Sequence, residues 1–331
     1  MSALTISSLT DRLNGYYTRL TATRGGTAAL VAFALWATRL VFRSRKRAAA
    51  KKAWSNLTAE VAVVTGGSGG IGIEVVRRLA AKGVKVAILD IVEPNKSVLS
   101  PTVKFYRTDL TDYDNIVEVA KQIERELGPV TILVNNAGVA NDGPSVMEFD
   151  PKKTKLTIEV NLLSHFYTLR VFLPHMVRAN HGHVMATASA GSFIMPAGGA
   201  DYGATKAGVL SLHETLQVEL DLLYGRRDPG SRTGAGIALS ICHPFWVASP
   251  MTSQIFKPEA VSKFLEPSWI ADKMVDRLLS GCGGSLYLPG WIGNLAWLRV
   301  LPHALQHRIR CKATMDLHKA KREDRPDAIM P

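Results

Sequence analysis

Cysteine is scarce in this 331-residue sequence: Cys242, Cys282 and Cys311 stand far apart, with no Cys-x-x-Cys pair. An odd, scattered set argues against a disulfide scaffold and for a reducing compartment. Zinc-finger spacing is absent, as is a basic stripe interleaved with aromatics, so the sequence calls for no metal and no nucleic acid. No repeat of solenoid length occurs. What is plentiful is apolar side chain, 47% of residues, enough for a sizeable core without covalent or metal support.

Acidic residues are outnumbered, giving a net charge of +12, but the excess is local. Residues 1–52 carry +9 and residues 291–331 carry +4, whereas residues 53–290 balance at −1. The basicity therefore sits at the two ends of an ordinary near-neutral globule. One long apolar run, residues 25–42, is broken only by Arg39 and is followed by Arg43, Arg45, Lys46, Arg47, Lys51 and Lys52. As a helix it would reach about 27 Å against a bilayer core of about 30 Å. Arg39 could snorkel, and the basic cluster would stay on the cytosolic side. We expect residues 1–52 to be a membrane-anchoring segment, at the endoplasmic reticulum or a lipid droplet. A mitochondrial presequence and a buried soluble helix are the alternatives; a cleaved signal peptide fits poorly because most of the charge follows the run.

From residue 58 onward, short runs rich in Val, Ile and Leu (EVAVVTG, VKVAILD, VKFYRTD, VTILVNNAG, GHVMATAS, GIALSICHP) alternate with longer helical stretches. Strands this continuous suit a parallel sheet covered on both faces, so the pattern predicts an α/β, doubly wound Rossmann fold over residues 53–290. Residues 291–331 read as an extension, with Trp291, Leu295, Leu298 and Leu301-Pro302 at near-helical spacing before Arg308, Arg310 and Lys312. That pattern fits an interfacial membrane contact or a lid over a substrate entrance.

The first strand runs into Thr65-Gly66-Gly67-Ser68-Gly69-Gly70-Ile71-Gly72 and then a helix. Glycines there let backbone N–H groups approach a pyrophosphate at the helix N-terminus, which singles out Gly66, Ser68, Gly70, Ile71 and Gly72. Eighteen residues after Gly72, Asp90 ends the second strand, with no Arg or Lys within residues 66–70 or directly after it. A carboxylate there accepts from the ribose hydroxyls of NAD and repels the 2′-phosphate of NADP, so NAD is the expected preference. Asp109-Leu110 at the end of the third strand is placed to meet the adenine. Asn136-Ala137-Gly138 follows the fourth strand.

Together TGGSGGIG, NNAG, a serine on the fifth strand and YGATK (Tyr202 to Lys206) resemble the short-chain dehydrogenase/reductase family over residues 57–290, in order and spacing. The resemblance implies that Tyr202 is the acid/base and Lys206 its partner, which also holds the nicotinamide ribose. The two lie one helical turn apart, and a neighbouring ammonium with an oxidised nicotinamide would favour the phenolate of a tyrosine that ordinarily titrates near 10. Ser189, with Ser192 as its rival, would hydrogen-bond the substrate oxygen, and Asn161 would orient a proton-relay water. Val247 and Ser249 match positions that meet the nicotinamide carboxamide, although Phe245 stands where the family usually has glycine after Pro244. The segment VNLLSHFYTLRVFLPHMVRANHGHVMATASA and the later Leu301-Pro302 and Met315-Asp316 are similar to the membrane-bound retinol and 17β-hydroxysteroid dehydrogenases. This implies a lipophilic alcohol or ketone as substrate, a membrane surface as partner, and a homodimer through helices 151–180 and 202–224. An NADPH-dependent ketone reductase of a secondary-metabolite pathway, or a catalytically silent NAD-binding membrane protein, are the competing readings.

Overall fold

The computed structural model describes residues 33, 54–141, 145–224 and 236–320; the expected anchor within residues 1–52 lies outside these. Seven strands make one sheet: β1 (Val61–Thr65), β2 (Lys85–Asp90), β3 (Val103–Arg107), β4 (Ile132–Asn135), β5 (Gly182–Thr187), β6 (Ile237–Pro244) and β7 (Gly284–Leu288). Their spatial order is β3-β2-β1-β4-β5-β6-β7, with every neighbouring pair parallel. Parallel neighbours need crossovers, and helices supply them: α1 (Gly70–Ala81), α2 (Tyr113–Glu126), α3 (Pro151–Ile158), α4 (Ser164–Ala179), α5 (Ala200–Glu219), α6 (Pro250–Ile255), α7 (Pro258–Val261) and α8 (Pro267–Leu279). The last described helix, α9 (His303–Ala320), follows a 3₁₀ stretch at Gly290–Val300.

The strand alternation sorts the core into two layers. Even-numbered Ala62, Val64, Val86, Ile88, Ile132 and Val134 pack under α1 and α8, meeting Val75, Val76, Leu79, Ile270, Met274 and Leu278. Odd-numbered Val61, Val63, Ala87, Leu89 and Leu133 face the other way, onto Ile116, Ile123, Phe172, Met176 and Leu216 of α2, α4 and α5. Both faces are thus buried, which is why these strands read as unbroken apolar runs. Local signals set the helix ends. Asp112 and Asp150 accept from the N–H groups of Asn115 and Lys152, capping α2 and α3, and Asn180 closes α4 in the left-handed region at φ 49°.

Three local outcomes differ from the sequence expectation. β7 was not anticipated, because GSLYL is a short, half-exposed edge strand with no long apolar run. The helix expected over 151–180 is interrupted by a π turn at Glu159–Leu163. The near-helical apolar spacing from Trp291 falls on a 3₁₀ stretch, Gly290–Val300, that buries Ile292 and Leu298 and turns Trp291, Trp297 and Val300 outward.

The strand order reverses direction between β1 and β4. At such a switch point the loops beyond the carboxyl ends diverge and leave a crevice. The glycine loop follows β1, and Asn136-Ala137-Gly138 follows β4, so both border it.

Candidate active site

The two loops are tied together by one hydroxyl. Thr65, the last residue of β1, accepts from the N–H groups of Asn136 (2.9 Å) and Ala137 (3.1 Å). Asn136 answers by donating from Nδ2 to the carbonyls of Thr65 and Gly66, at 3.2 and 3.3 Å. This closeness forbids side chains. A Cβ at Gly66, whose φ is 62°, would stand 2.8 Å from Ala137 Cα, and one at Gly72 would run into the Gly66 carbonyl. α1 begins at Gly70 with no side-chain cap on its first N–H groups, and a Cβ at Gly69 would meet nothing within 4 Å. An uncapped helix end opening on free space fits a pyrophosphate.

Asp90 closes the far side of this loop: its Oδ2 accepts from Ser68 N–H and its Oδ1 from Val92 N–H, both at 3.1 Å. Ser249 reaches the same loop, its Cβ lying 3.8 Å from where a Gly70 Cβ would be. It caps α6 together with Thr252, whose hydroxyl donates to Val247 O at 2.6 Å. Phe245 in place of glycine leaves this turn unstrained. Its N–H continues the ladder to Leu288 O at 2.8 Å, and Asn180 is the single non-glycine residue with positive φ among those described. Asp109 accepts from the N–H and hydroxyl of Thr111, and Leu110 is buried in the α2-side core.

Across the crevice, α5 carries Tyr202 and Lys206 on one face, with Lys206 Nζ 5.6 Å from the Tyr202 ring centre. Nζ donates to the Thr187 carbonyl at 2.9 Å, where β5 ends. Burial lowers the Lys206 ammonium to about 8. Burial also pushes the Tyr202 phenol above its ordinary value, and the Ser189 hydroxyl pulls the other way. Of the chain's own influences on the phenol, burial is the largest; the sequence reading counts on the oxidised nicotinamide as well as the ammonium. Ser189 Oγ also accepts from Gly191 N–H at 3.0 Å. Gly191 leaves both side chains room, since a Cβ there would be 3.4 Å from Ser189 Oγ and 3.5 Å from Tyr202 Cε1. The rival Ser192 is occupied elsewhere, donating to Lys206 O at 2.9 Å.

Asn161 lies fully buried in the π turn. Its Oδ1 accepts from Val139 N–H at 2.7 Å and its Nδ2 donates to Val139 O at 2.8 Å, so both ends of the amide hold the strand β4 loop. Between them Gly138 leaves room: a Cβ there would stand 3.4 Å from Asn161 Oδ1 and 3.6 Å from Lys206 Nζ. Asn161, Ser189, Tyr202 and Lys206 are thus brought to one place.

Other contributors carried no motif. Asp201 accepts from Tyr202 N–H (2.7 Å) and from Asn141 Nδ2 (2.6 Å), fixing the first turn of α5 to the loop after β4. Arg299 donates to Ser192 O at 3.2 Å, and Ala197 N–H donates to Thr314 Oγ1 at 3.1 Å, so the chain's end covers the loop between β5 and α5. Phe245, Trp246, Phe256, Phe264 and Trp291, after β6 and β7, form a run of edge and stacked aromatic contacts.

Residues 60–259 match the short chain dehydrogenase family. The chain is 38% identical over 175 residues to Dehydrogenase RED2 of Cochliobolus heterostrophus, a match spanning 53% of this chain and 64% of that one. It is 30% identical over 258 residues to human Estradiol 17-beta-dehydrogenase 11, covering 75% and 81% of the two. Among solved structures, 3-ketoacyl-(acyl-carrier-protein) reductase from Brucella melitensis, complexed with NADH, superposes with a TM-score of 0.62 at 22% identity, over 70% of this chain and 97% of that one. The glycine loop, the doubly wound sheet and these matches agree that the chain belongs to the short-chain dehydrogenase/reductase family of NAD(P)-dependent oxidoreductases.

Proposed function

We propose that the protein interconverts a lipophilic alcohol, of steroid, retinoid or similar kind, and its ketone or aldehyde, with NAD preferred over NADP. The observation that carries this is the convergence of Ser189, Tyr202, Lys206 and Asn161 on one place beside the glycine loop's crevice. Ser189 donates to the substrate oxygen and Tyr202 exchanges the proton with it. Lys206, with a proton that leaves at about 8, can pass charge and proton in the working range while anchored on Thr187 O. Both ends of the Asn161 amide are committed to Val139, so a relay water would meet its main-chain carbonyl instead. When bound, the coenzyme supplies the hydride acceptor or donor and, oxidised, a further positive charge. Gly66–Gly72, Asp90, Asp109-Leu110, Asn136–Gly138, Val247 and Ser249 would hold it.

Residues 53–290 form the catalytic part in this reading, and residues 291–331 its cover and second membrane contact. No helix among the described residues is long and apolar enough to cross a membrane. The exposed Trp291, Trp297, Val300 and Leu305, beside Arg308, Arg310 and Lys312, suit an anionic surface that residues 1–52 would hold close, at the endoplasmic reticulum or a lipid droplet.

A panel of estradiol, retinol and medium-chain secondary alcohols with NAD and NADP tests the reading. Turnover confined to small polar alcohols, or none with any substrate, would overturn it. Recovery of the full-length protein in the soluble fraction, or its import and cleavage in mitochondria, would overturn the membrane part.

A further inference from the structure

Beneath the catalytic residues the ladder between β5 and β6 runs out of donors. Its last bond joins Ala188 N–H to Cys242 O at 2.8 Å. Backbone groups alternate along a strand, and Phe245 N–H faces β7, so Pro244 is the next residue turned toward β5. Proline has no N–H to give. Past this point a side chain takes over: the ring of His243 lies with Nδ1 3.2 Å from the carbonyl of Ser189, the residue after Ala188. A carbonyl only accepts, so Nδ1–H is the donor and, in the neutral ring, Nε2 is left as an acceptor. Nε2 is fully buried and is the one buried side-chain nitrogen or oxygen without a hydrogen-bond partner among the described residues. The ring is held by Tyr287, stacked at 5.3 Å and 18°, and by Phe193 at 4.8 Å, on the turn that follows Ser189. Burial keeps its pKa down at about 4, so it stays neutral wherever the enzyme works.

A carbon side chain would fill this place without stranding a buried acceptor, so the imidazole is there for the bond it makes. We propose that His243 is a positioning residue, whose Nδ1–H holds the Ser189 carbonyl one residue past the last β5–β6 ladder bond and fixes the main chain of Ser189 so that its hydroxyl meets the substrate oxygen beside Tyr202. The inference rests on the role given to Ser189 above. A displacement of about 1 Å at such a group can cost about a hundredfold in rate.

The test uses full-length protein in mild detergent, the panel alcohol that the wild type oxidises best, and the variants His243→Leu, His243→Asn and Ser189→Ala. His243→Leu should lower kcat about ten- to a hundredfold while the NADH dissociation constant and Tm stay unchanged or Tm rises. His243→Asn keeps an N–H donor near the Nδ1 position and should stay within about threefold of wild type. Loss of kcat, NADH affinity and Tm together in His243→Leu, with no rescue in His243→Asn, would mark a merely structural residue and overturn the proposal. So would full activity in His243→Leu when Ser189→Ala is inactive. An active Ser189→Ala would instead bring down the reading of the site itself. Should His243→Leu fail to fold, His243→Met, with its adaptable chain, carries the same comparison. Independently of any assay, a histidine ¹⁵N spectrum that places the His243 hydrogen on Nε2 would overturn it.

Discussion

Asp90 accepts a hydrogen bond from the Ser68 N–H at 3.1 Å, so the carboxylate that ends β2 also braces the glycine loop that follows β1. In the proposed reading one charged group would do two jobs, holding the loop and meeting the adenosine ribose. Asp90→Ala should therefore narrow or reverse the NAD preference and weaken NADH binding as well. Steady-state kcat/KM for both coenzymes checks this: an unchanged NAD-to-NADP ratio in the variant would show that the carboxylate is not the selector.

Tyr202→Phe deletes a hydroxyl and little volume from a partly buried side chain. We expect kcat to fall at least about a thousandfold with NADH binding nearly intact. Activity within tenfold of wild type would remove Tyr202 from the proton path.

Leu156 and Phe166 on α3 and α4, and Val218, Leu222 and Leu223 at the end of α5 and just beyond, are large apolar residues left exposed, Phe166 at 49% and Leu223 at 59%. Such faces on two long helices flanking the site are expected to pair in a homodimer. Sedimentation in mild detergent should give a dimer for the wild type and a monomer for Phe166→Glu/Leu223→Glu. A monomeric wild type refutes the expectation.

Four histidines are held neutral by burial: His165 and His183 down at about 3, His213 and His243 at about 4. Burial dominates at His183 even though its Nδ1 donates to Leu278 O at 3.0 Å, a bond that pulls the value up, while its Nε2 accepts from Ser240 Oγ at 2.9 Å. Because the folded values lie below the unfolded value near 6.5, the unfolded chain binds more protons between about 6.5 and 4. Stability should be level in this respect above pH 7 and fall as pH drops through that window, by at most about 5 kcal/mol per pH unit if all four act together. Urea midpoints at pH 7, 6 and 5 measure this; equal midpoints at pH 7 and 5 would contradict it.

The strands on both sides of the switch point were legible because burial on two faces leaves them no polar alternation, and Tyr202 and Lys206 because a helix of known period puts them on one face. β7 was not, since an edge strand with an exposed face needs no apolar run. Asn161 could be picked out as a residue, but not the π turn that carries it, because that turn depends on the two-way bond with Val139, distant in sequence. His243 left one trace, a polar ring within IALSICHP just before a proline. Asp201, Arg299 and Thr314 act through partners 60, 107 and 117 positions away, and no local pattern announces such pairs.

The stretch that matches the family ends at residue 259, yet Arg299 and Thr314, from well beyond it, fasten the loop at residues 192–197. The segment beyond the family match is thus tied by two hydrogen bonds to the turn that follows Ser189. In the proposed reading, exchanging the last fifth of the chain for that of a relative should change which alcohols are turned over while leaving the proton path through Tyr202 in place.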